Sequence, residues 1–470
     1  MLVQQKSYRL LEMDKKRWII RLLILSAIGI VLSAKFYFMI FVVDFLVGLY
    51  SFLTTFILFS LFVFAYFKYK DPYIDAKDII LNNPPLVSVI IPVRNEESNI
   101  RNCVQSCLDS GYSNKEIIVV NDASTDETPK ILDELKQKYL NVLNVIHLTN
   151  NVGKKYAIEA ATKVARGNFY VFMDSDCNMA YDAVENIVKI FLSDNTIGAV
   201  TGHGKVRDAE HGNILQKIQD VWFDGQFRIL KGMESSFSSL TCCSGALSAF
   251  RREAVHNHMH DWATDRFIGT EFRFATDRRL TAFVLDGKTN NNIKGGKSID
   301  FSNAINTRKE IETDNSINDV QEHKRLWKLK YTPSVKVYVG VPETLKDLIK
   351  QQIRWRKSFI RSIFATGGIY WKRPFPAALL YYLILALKLF RPFIVIKALI
   401  LLPLAGDVFT GLLYISGALF SGMMYGIDVR LRNPGYPGWL YRPLMTLIST
   451  FLLSWLIIYA AFTIKNKSWR

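Results

Sequence analysis

The chain has 470 residues, of which 50% are hydrophobic and 13% aromatic, and it carries a formal net charge of +17. The apolar residues gather at both ends, which speaks against a single soluble globule and for a polar middle held between membrane segments. The basic residues lie beside those apolar segments and not in one aromatic-laced patch, so no nucleic acid is expected as a partner.

From Trp18 to Ala34 the only charge is Arg21, and Phe45 to Phe67 carries none. Each run approaches the roughly 20 helical residues that cross a bilayer's hydrocarbon. No small-residue cleavage site precedes a mature domain and a second span follows at once, so a helical hairpin anchor is expected over 1–70, not a signal peptide. Lys15, Lys16, Arg17 and Arg21 in front, with Lys68 and Lys70 behind, place the N-terminus and the middle of the chain in the cytoplasm by the positive-inside rule. Cys103, Cys107, Cys177, Cys242 and Cys243 all fall in that middle, where reduced thiols are expected.

A polar linker from Asp71 to Pro85 opens a run of short apolar stretches alternating with amphipathic ones. Strands are expected at Leu86–Pro92, Glu116–Val120, Val142–Leu148 and Phe169–Asp174, and helices at Ile100–Leu108, Asp126–Tyr139 and Lys154–Ala165. Such alternation implies a mostly parallel sheet, with ligands at the carboxyl ends of its strands. Gly287 to Asn318 is rich in Asn, Lys, Asp and Ser and is expected to be a surface insertion. Leu345 to Ala365 has the pattern of a basic amphipathic helix suited to a cytoplasmic membrane surface. Spans are then expected near Leu389–Leu404 and Val408–Ile427, with a last apolar run at Trp439–Ile464. The basic tail Lys465, Lys467 and Arg470 requires either a broken re-entrant helix in that last run or an extra crossing at Phe375–Leu387, giving five or six spans.

Several residues have the chemistry of a phosphosugar site, each with a plainer alternative. Asp122 stands at a strand's carboxyl end, where it can accept a hydrogen bond from a base imide or cap the next helix. Asp174-Ser175-Asp176 puts two hard oxygen ligands after an apolar strand, suited to Mg2+ or Mn2+, although a lone Asp-x-Asp also arises by chance. Lys154 follows Gly153 at a helix start, where a cation and free N–H groups can meet a diphosphate or simply face solvent. Asp277 precedes an amphipathic helix and can act as a general base or a cap. Gln351, Arg354 and Trp355 share about one helical turn, where the guanidinium can grip a diphosphate and the indole a sugar face; an interfacial Arg-Trp pair is the alternative.

Taken together and in this order, Pro92-Val93-Arg94-Asn95-Glu96, Asp122, Lys154, Asp174-Ser175-Asp176, Asp277 and the QxxRW pentad at 351–355 resemble the processive family-2 glycosyltransferases. Within them, Ala199-Val200-Thr201-Gly202, Cys243-Ser244-Gly245-Ala246, Asp277-Arg278-Arg279-Leu280-Thr281 and Gln351 through Ser358 are similar to hyaluronan synthase segments; chitin-oligosaccharide and poly-N-acetylglucosamine synthases share the core motifs. The chain departs from the pattern at Asn121 and Thr276, where acidic residues are common, and at Ala246, where Pro is usual. It ends at Trp469-Arg470, where a C-terminal gating loop is expected to begin, so that loop is expected to be missing or short.

The resemblance implies an α/β GT-A catalytic domain, cytosolic over 71–344, between an N-terminal transmembrane hairpin and a C-terminal transmembrane region at 388–470, with interfacial helices over 345–387. It implies inverting transfer from a UDP-sugar to a growing polysaccharide at the cell membrane, with UDP-N-acetylglucosamine, with or without UDP-glucuronate, as donor. Asp277 would be the base and Asp176 the metal ligand for Mg2+ or Mn2+. Pro92, Arg94, Glu96, Asp122, Lys154, Asp174, Cys243, Gln351, Arg354 and Trp355 would bind substrate. A non-processive transferase acting on a lipid carrier, and a catalytically inert transporter or binding protein, are the competing expectations.

Overall fold

The computed structural model describes residues 2–287 and 326–466; apart from Gly287, the polar insertion expected at 287–318 lies outside the described residues. Helices α1 (Leu2–Phe41) and α2 (Phe45–Val63) form the expected hairpin. Asp44 caps α2, its carboxylate accepting from the N–H groups of Leu46 and Val47 at 3.1 Å, which satisfies donors that a helix start leaves unpaired.

The middle of the chain folds as an eight-stranded sheet of order β3-β2-β1-β4-β7-β6-β8-β5. The strands are β1 (Val87–Val93), β2 (Lys115–Asn121), β3 (Leu143–His147), β4 (Phe169–Met173), β5 (Cys177–Met179), β6 (Ile197–Val206), β7 (Leu247–Arg251) and β8 (Lys328–Val339). Helices α3 (Ile100–Leu108), α4 (Thr128–Lys138), α5 (Lys154–Val164) and α6 (Ala183–Ser193) come from its first half, followed by α7 (Ile214–Gly225) and α8 (Thr276–Asp286). Strands β1 to β4 pair in parallel and β8 pairs parallel to β6, while β7 runs antiparallel to both β4 and β6.

Every residue of β1 is buried, and its alternating side chains divide between two cores. Val89 and Ile91 pack with Ile100 and Cys103 of α3 and Ile187 of α6. On the other face Ile90 packs with Ala157 and Ile158 of α5, in a core that also takes in Ile57 and Leu61 of α2 and Leu280 of α8. Each such aliphatic side chain contributes about 1.5–3 kcal/mol, so the anchor and the sheet share one hydrophobic core. The parallel strands β1, β2 and β4 end at one edge, which brings the loops after Val93, Asn121 and Met173 together.

The C-terminal part comprises α9 (Leu345–Ala365), α10 (Phe375–Ile396), α11 (Val408–Arg432), α12 (Arg442–Phe451) and α13 (Leu456–Phe462). It corrects the sequence reading. The span expected at Leu389–Leu404 and the optional crossing at Phe375–Leu387 are one helical path, since α10 runs on through Lys397–Leu401 and Leu402–Leu404. The domain boundary at 387/388 therefore falls inside a helix, which carries Lys388, Arg391 and Lys397 along its apolar length. The last run is broken, with a bend of 46° between Pro437–Phe451 and Leu456–Phe462. Against the five or six spans expected, three described helices are long and apolar enough to cross a membrane by length and composition, or four if the bent pair counts as one span.

Candidate active site

Asp122 follows β2 and is buried, and its carboxylate caps no helix. It accepts hydrogen bonds from the N–H groups of Val152 at 2.7 Å and Gly153 at 2.9 Å. Burial pushes its pKa up, although both amide bonds oppose the shift. Gly153 has φ +93°, a region that favours glycine, and it delivers Lys154 as the first residue of α5. The Lys154 ammonium pairs with the Asp174 carboxylate; burial works against its charge, but Asp174 prevails and holds its pKa above the ordinary lysine value.

Asp174 and Asp176 follow β4. The side chain of Arg207 donates to the backbone oxygen of Asp176 and, at 3.3 Å, to Asn178 Oδ1, fixing the turn. Burial first, and the charge of Asp174 second, raise the pKa of Asp176. Gly245 faces this pair, and a methyl group there would lie 3.3 Å from Asp174 Oδ2 and 3.5 Å from Lys154 Nζ. A divalent cation fits the chemistry of two carboxylates with unbalanced charge. No group of three or more His, Cys, Asp or Glu is placed to hold a metal ion among the described residues, so the remaining oxygens would come from a diphosphate and water.

Asp277 lies in the first turn of α8, after Ala275, a non-glycine residue at φ 60°. The Cys242 thiol donates to Asp277 Oδ2 at 3.1 Å, and the Arg278 N–H to Oδ1 at 2.8 Å. Asn95 and Ala123 are also at positive φ, so three left-handed non-glycine residues flank the loops that carry Glu96, Asp122 and Asp277. Such conformations cost on the order of 1–3 kcal/mol and gather at functional sites.

Trp355 of α9 stacks on Trp222 of α7, with ring centroids 5.8 Å apart and planes 29° apart, and meets Phe223 edge-on at 6.1 Å. Trp222 therefore covers one face of the indole that the sequence offered to a sugar.

These elements enclose a cavity of about 990 Å3, lined by Pro92, Arg94, Glu96, Asp122, Lys154, Asp174, Asp176, Asp277, Gln351, Arg354 and Trp355. Of the residues singled out in the sequence, Cys243 alone does not line it. Cys243 is fully buried in the core, its N–H donates to Thr281 Oγ1 at 2.8 Å, and burial pushes its thiol up to about 12; its neighbour Cys242 faces the cavity in its place. The sequence reading missed Trp222, Arg278 and Lys388, which also line it. Arg278 adjoins Asp277 and could have been found by proximity; Trp222 and Lys388 carry no local signal. The histidines at 256–260 do not converge: His256 bonds Tyr170, His258 is buried and stacks on Phe283, and His260 bonds Glu159.

The family model for glycosyl transferase family 2 matches residues 88–259. The chain carries a family-2 glycosyltransferase domain. That transferase domain includes Asp122, Lys154, Asp174 and Asp176, while Asp277 and α9 lie beyond the matched stretch. The chain is 24% identical over 390 residues to hyaluronan synthase of Streptococcus pyogenes, covering 82% of each chain. It is also 24% identical over 310 residues to poly-beta-1,6-N-acetyl-D-glucosamine synthase of Staphylococcus aureus strain COL, covering 65% of this chain and 63% of that one. In three dimensions it resembles a mannosyltransferase from Pyrobaculum calidifontis, solved with GDP-Man and Mn2+, at TM-score 0.51 and 20% identity, over 88% of this chain and 99% of that one. This likeness supports the GT-A fold of the transferase domain, and the apolar helices at either end of the chain make it a membrane protein.

Proposed function

We propose that the chain is a membrane-integrated, inverting glycosyltransferase that polymerises sugar from UDP-sugar donors into a polysaccharide in the manner of hyaluronan synthase, with its catalytic domain on the cytoplasmic side. The observation that carries this reading is the convergence of Asp176, Asp277, Arg354 and Trp355 on one cavity, though they come from the sheet edge, α8 and α9.

In this reading the donor's uridine lies against Glu96 and Asp122, and its diphosphate meets Lys154 and Arg354. An acceptor hydroxyl attacks the anomeric carbon on the face opposite UDP, and Asp277 takes the hydroxyl proton as the new C–O bond forms. The old bond breaks with its electron pair leaving on UDP, whose growing charge the two cations stabilise. General-base action contributes a factor of about 10² to 10⁴, or roughly 2.7 to 5.4 kcal/mol. Asp176, with Asp174, would hold Mg2+ or Mn2+, which neutralises diphosphate oxygens.

A sugar polymer as occupant is supported by unpaired polar groups along the cavity wall. Gln351 Oε1, Gln352 Nε2, Arg356 Nε and Thr366 Oγ1 are buried without a hydrogen-bond partner among the described residues, and all four residues line the cavity. Buried polar atoms are costly unless bonded, and a chain of sugar hydroxyls would satisfy them. The cavity extends past them between α9 and α10 to Tyr381 and Lys388, a path leading from the transferase site toward the membrane helices and compatible with export.

The test is UDP release by the full chain in lipid with Mn2+ or Mg2+, given UDP-N-acetylglucosamine with and without UDP-glucuronate, followed by sizing of the product. A high polymer is the expected result; a single-sugar product would favour transfer to a lipid carrier. Asp277→Asn should fold and lose release, and full activity in that variant would remove Asp277 from the mechanism.

A further inference from the structure

Behind the cavity one carboxylate meets three cations. Asp265, on the segment leading to the hairpin Arg266–Phe267/Thr270–Glu271, receives Arg361 Nη2 at 2.6 Å and Nε at 3.2 Å, and Arg279 Nε at 3.1 Å. Lys155 Nζ stands 3.7 Å away. Asp265 and Lys155 are almost wholly buried, with side-chain exposures of 5% and 4%, and Arg361 is 10% exposed.

Each partner comes from a different element of the site. Lys155 is the neighbour of Lys154 at the start of α5, Arg279 lies two residues after Asp277 on α8, and Arg361 lies two helical turns beyond Arg354 on α9. None of the four lines the cavity. The segment is anchored again by Trp262, whose Nε1 donates to Thr276 O at 2.8 Å, next to Asp277.

We propose that Asp265 is a positioning residue for glycosyl transfer, a single buried carboxylate that sets α5, α8 and α9 against one another so that Lys154, Asp277 and Arg354 face the same substrate. The inference rests on the proposed function for the roles of those three residues. A buried charge that loses its partners is strongly unfavourable, and here one carboxylate balances three cations, so its removal pushes the three helices apart as well as unlinking them. The forked bond from Arg361 fixes orientation as well as distance, which a lysine cannot reproduce. Burial, together with the two neighbouring guanidiniums, brings the Lys155 ammonium down to about 8 against the pull of Asp265, as expected where cations outnumber the carboxylate.

The test uses the full chain in lipid, with Asp265→Asn, Arg279→Gln, Arg361→Gln and Arg361→Lys. The readouts are UDP release against donor concentration, equilibrium affinity for UDP, and amide hydrogen exchange. In the variants that fold, kcat at saturating donor should fall by about 10- to 100-fold, the loss that a displacement near 1 Å produces, and UDP affinity should weaken with it, because Lys154 and Arg354 ride on two of the displaced helices. Arg361→Lys should recover part of the loss in Arg361→Gln. Exchange should quicken in α8 and α9 and stay unchanged in β1, β2 and β4. Should Asp265→Asn fail to fold, the arginine variants, each cutting one link, carry the test. Wild-type kcat at saturating donor in folded Arg361→Gln and Arg279→Gln, with exchange in α8 and α9 unchanged, would overturn the proposal. Absence of UDP release by the wild-type chain would count against the proposed function, and exchange in α8 and α9 would then decide the role of Asp265 by itself.

Discussion

The Asp122 carboxylate accepts the Gly153 N–H at 2.9 Å, so a residue at the end of β2 holds the backbone one step before Lys154. This link joins the side of the cavity assigned to the nucleoside with that assigned to the diphosphate. It also leaves Asp122 less able to respond freely to a base, because two backbone amides already occupy its oxygens.

Replacing Asp122 with Ala should therefore act on both stability and donor binding. Hydrogen bonds to a charged group contribute roughly 1.5–3 kcal/mol each, and the variant should lose on the order of that amount in thermal unfolding. Its KM for the UDP-sugar should rise more than its kcat falls. An unchanged KM would show that the loop before Lys154 orders itself without this carboxylate.

Cys242 and Asp277 offer a finer probe. The thiol donates to Asp277 Oδ2 and so helps hold the carboxylate in one orientation. Cys242→Ala should keep turnover far above that of Asp277→Asn and lower kcat by about 10-fold, as for a lost hydrogen bond to a charged group. Cys242→Ser, which retains a donor, should recover most of that loss. Equal kcat in wild type and both variants would sever the thiol from the chemistry.

Gly245 should not tolerate a side chain. A methyl group 3.3 Å from Asp174 Oδ2 crowds the carboxylates assigned to the metal and diphosphate. Gly245→Ala should weaken activation by Mn2+ and raise the concentration needed for half-maximal UDP release, with little change in the unfolding temperature. Wild-type Mn2+ dependence would place the substrate elsewhere in the cavity.

The acid side of the pH profile follows from burial. Asp176 and Asp122 both have raised pKa values, Asp176 through burial and then the charge of Asp174, Asp122 through burial. The ionised forms are needed to hold the cation and the loop, so kcat/KM should decline as pH falls through a range above about 3.9, the ordinary aspartate value. Asp174→Asn removes the like charge beside Asp176, and the limb of its residual activity should move to lower pH. A limb unaffected by that change would assign the titration to another group.

Much of the site could be read locally. Carboxylates at strand ends, a lysine after a glycine, and the spacing of Gln351, Arg354 and Trp355 on one helical face depend on backbone periodicities of 2 and 3.6, which the sequence states directly. The helix at Ile100–Leu108 lies as expected, and the other strands and helices expected between Leu86 and Asp174 differ only at their ends, whereas β5, α6 and β6 were not anticipated. Cys243 was misplaced because adjacent residues of an irregular segment turn opposite ways, and nothing within CCSGA says which thiol meets the core.

What the sequence determined by itself was the alternation of strands and helices up to Asp174, the apolar ends and the acidic and cationic residues at strand and helix ends, because each follows from neighbours along the chain. The tertiary structure alone decided that Asp176, Asp277, Arg354 and Trp355 face one hollow, that Trp222 backs Trp355, and that Asp265 ties three helices together. Those relationships join residues tens to more than a hundred positions apart, and they depend on how each helix is rotated and docked against a shared core, which periodicity leaves open.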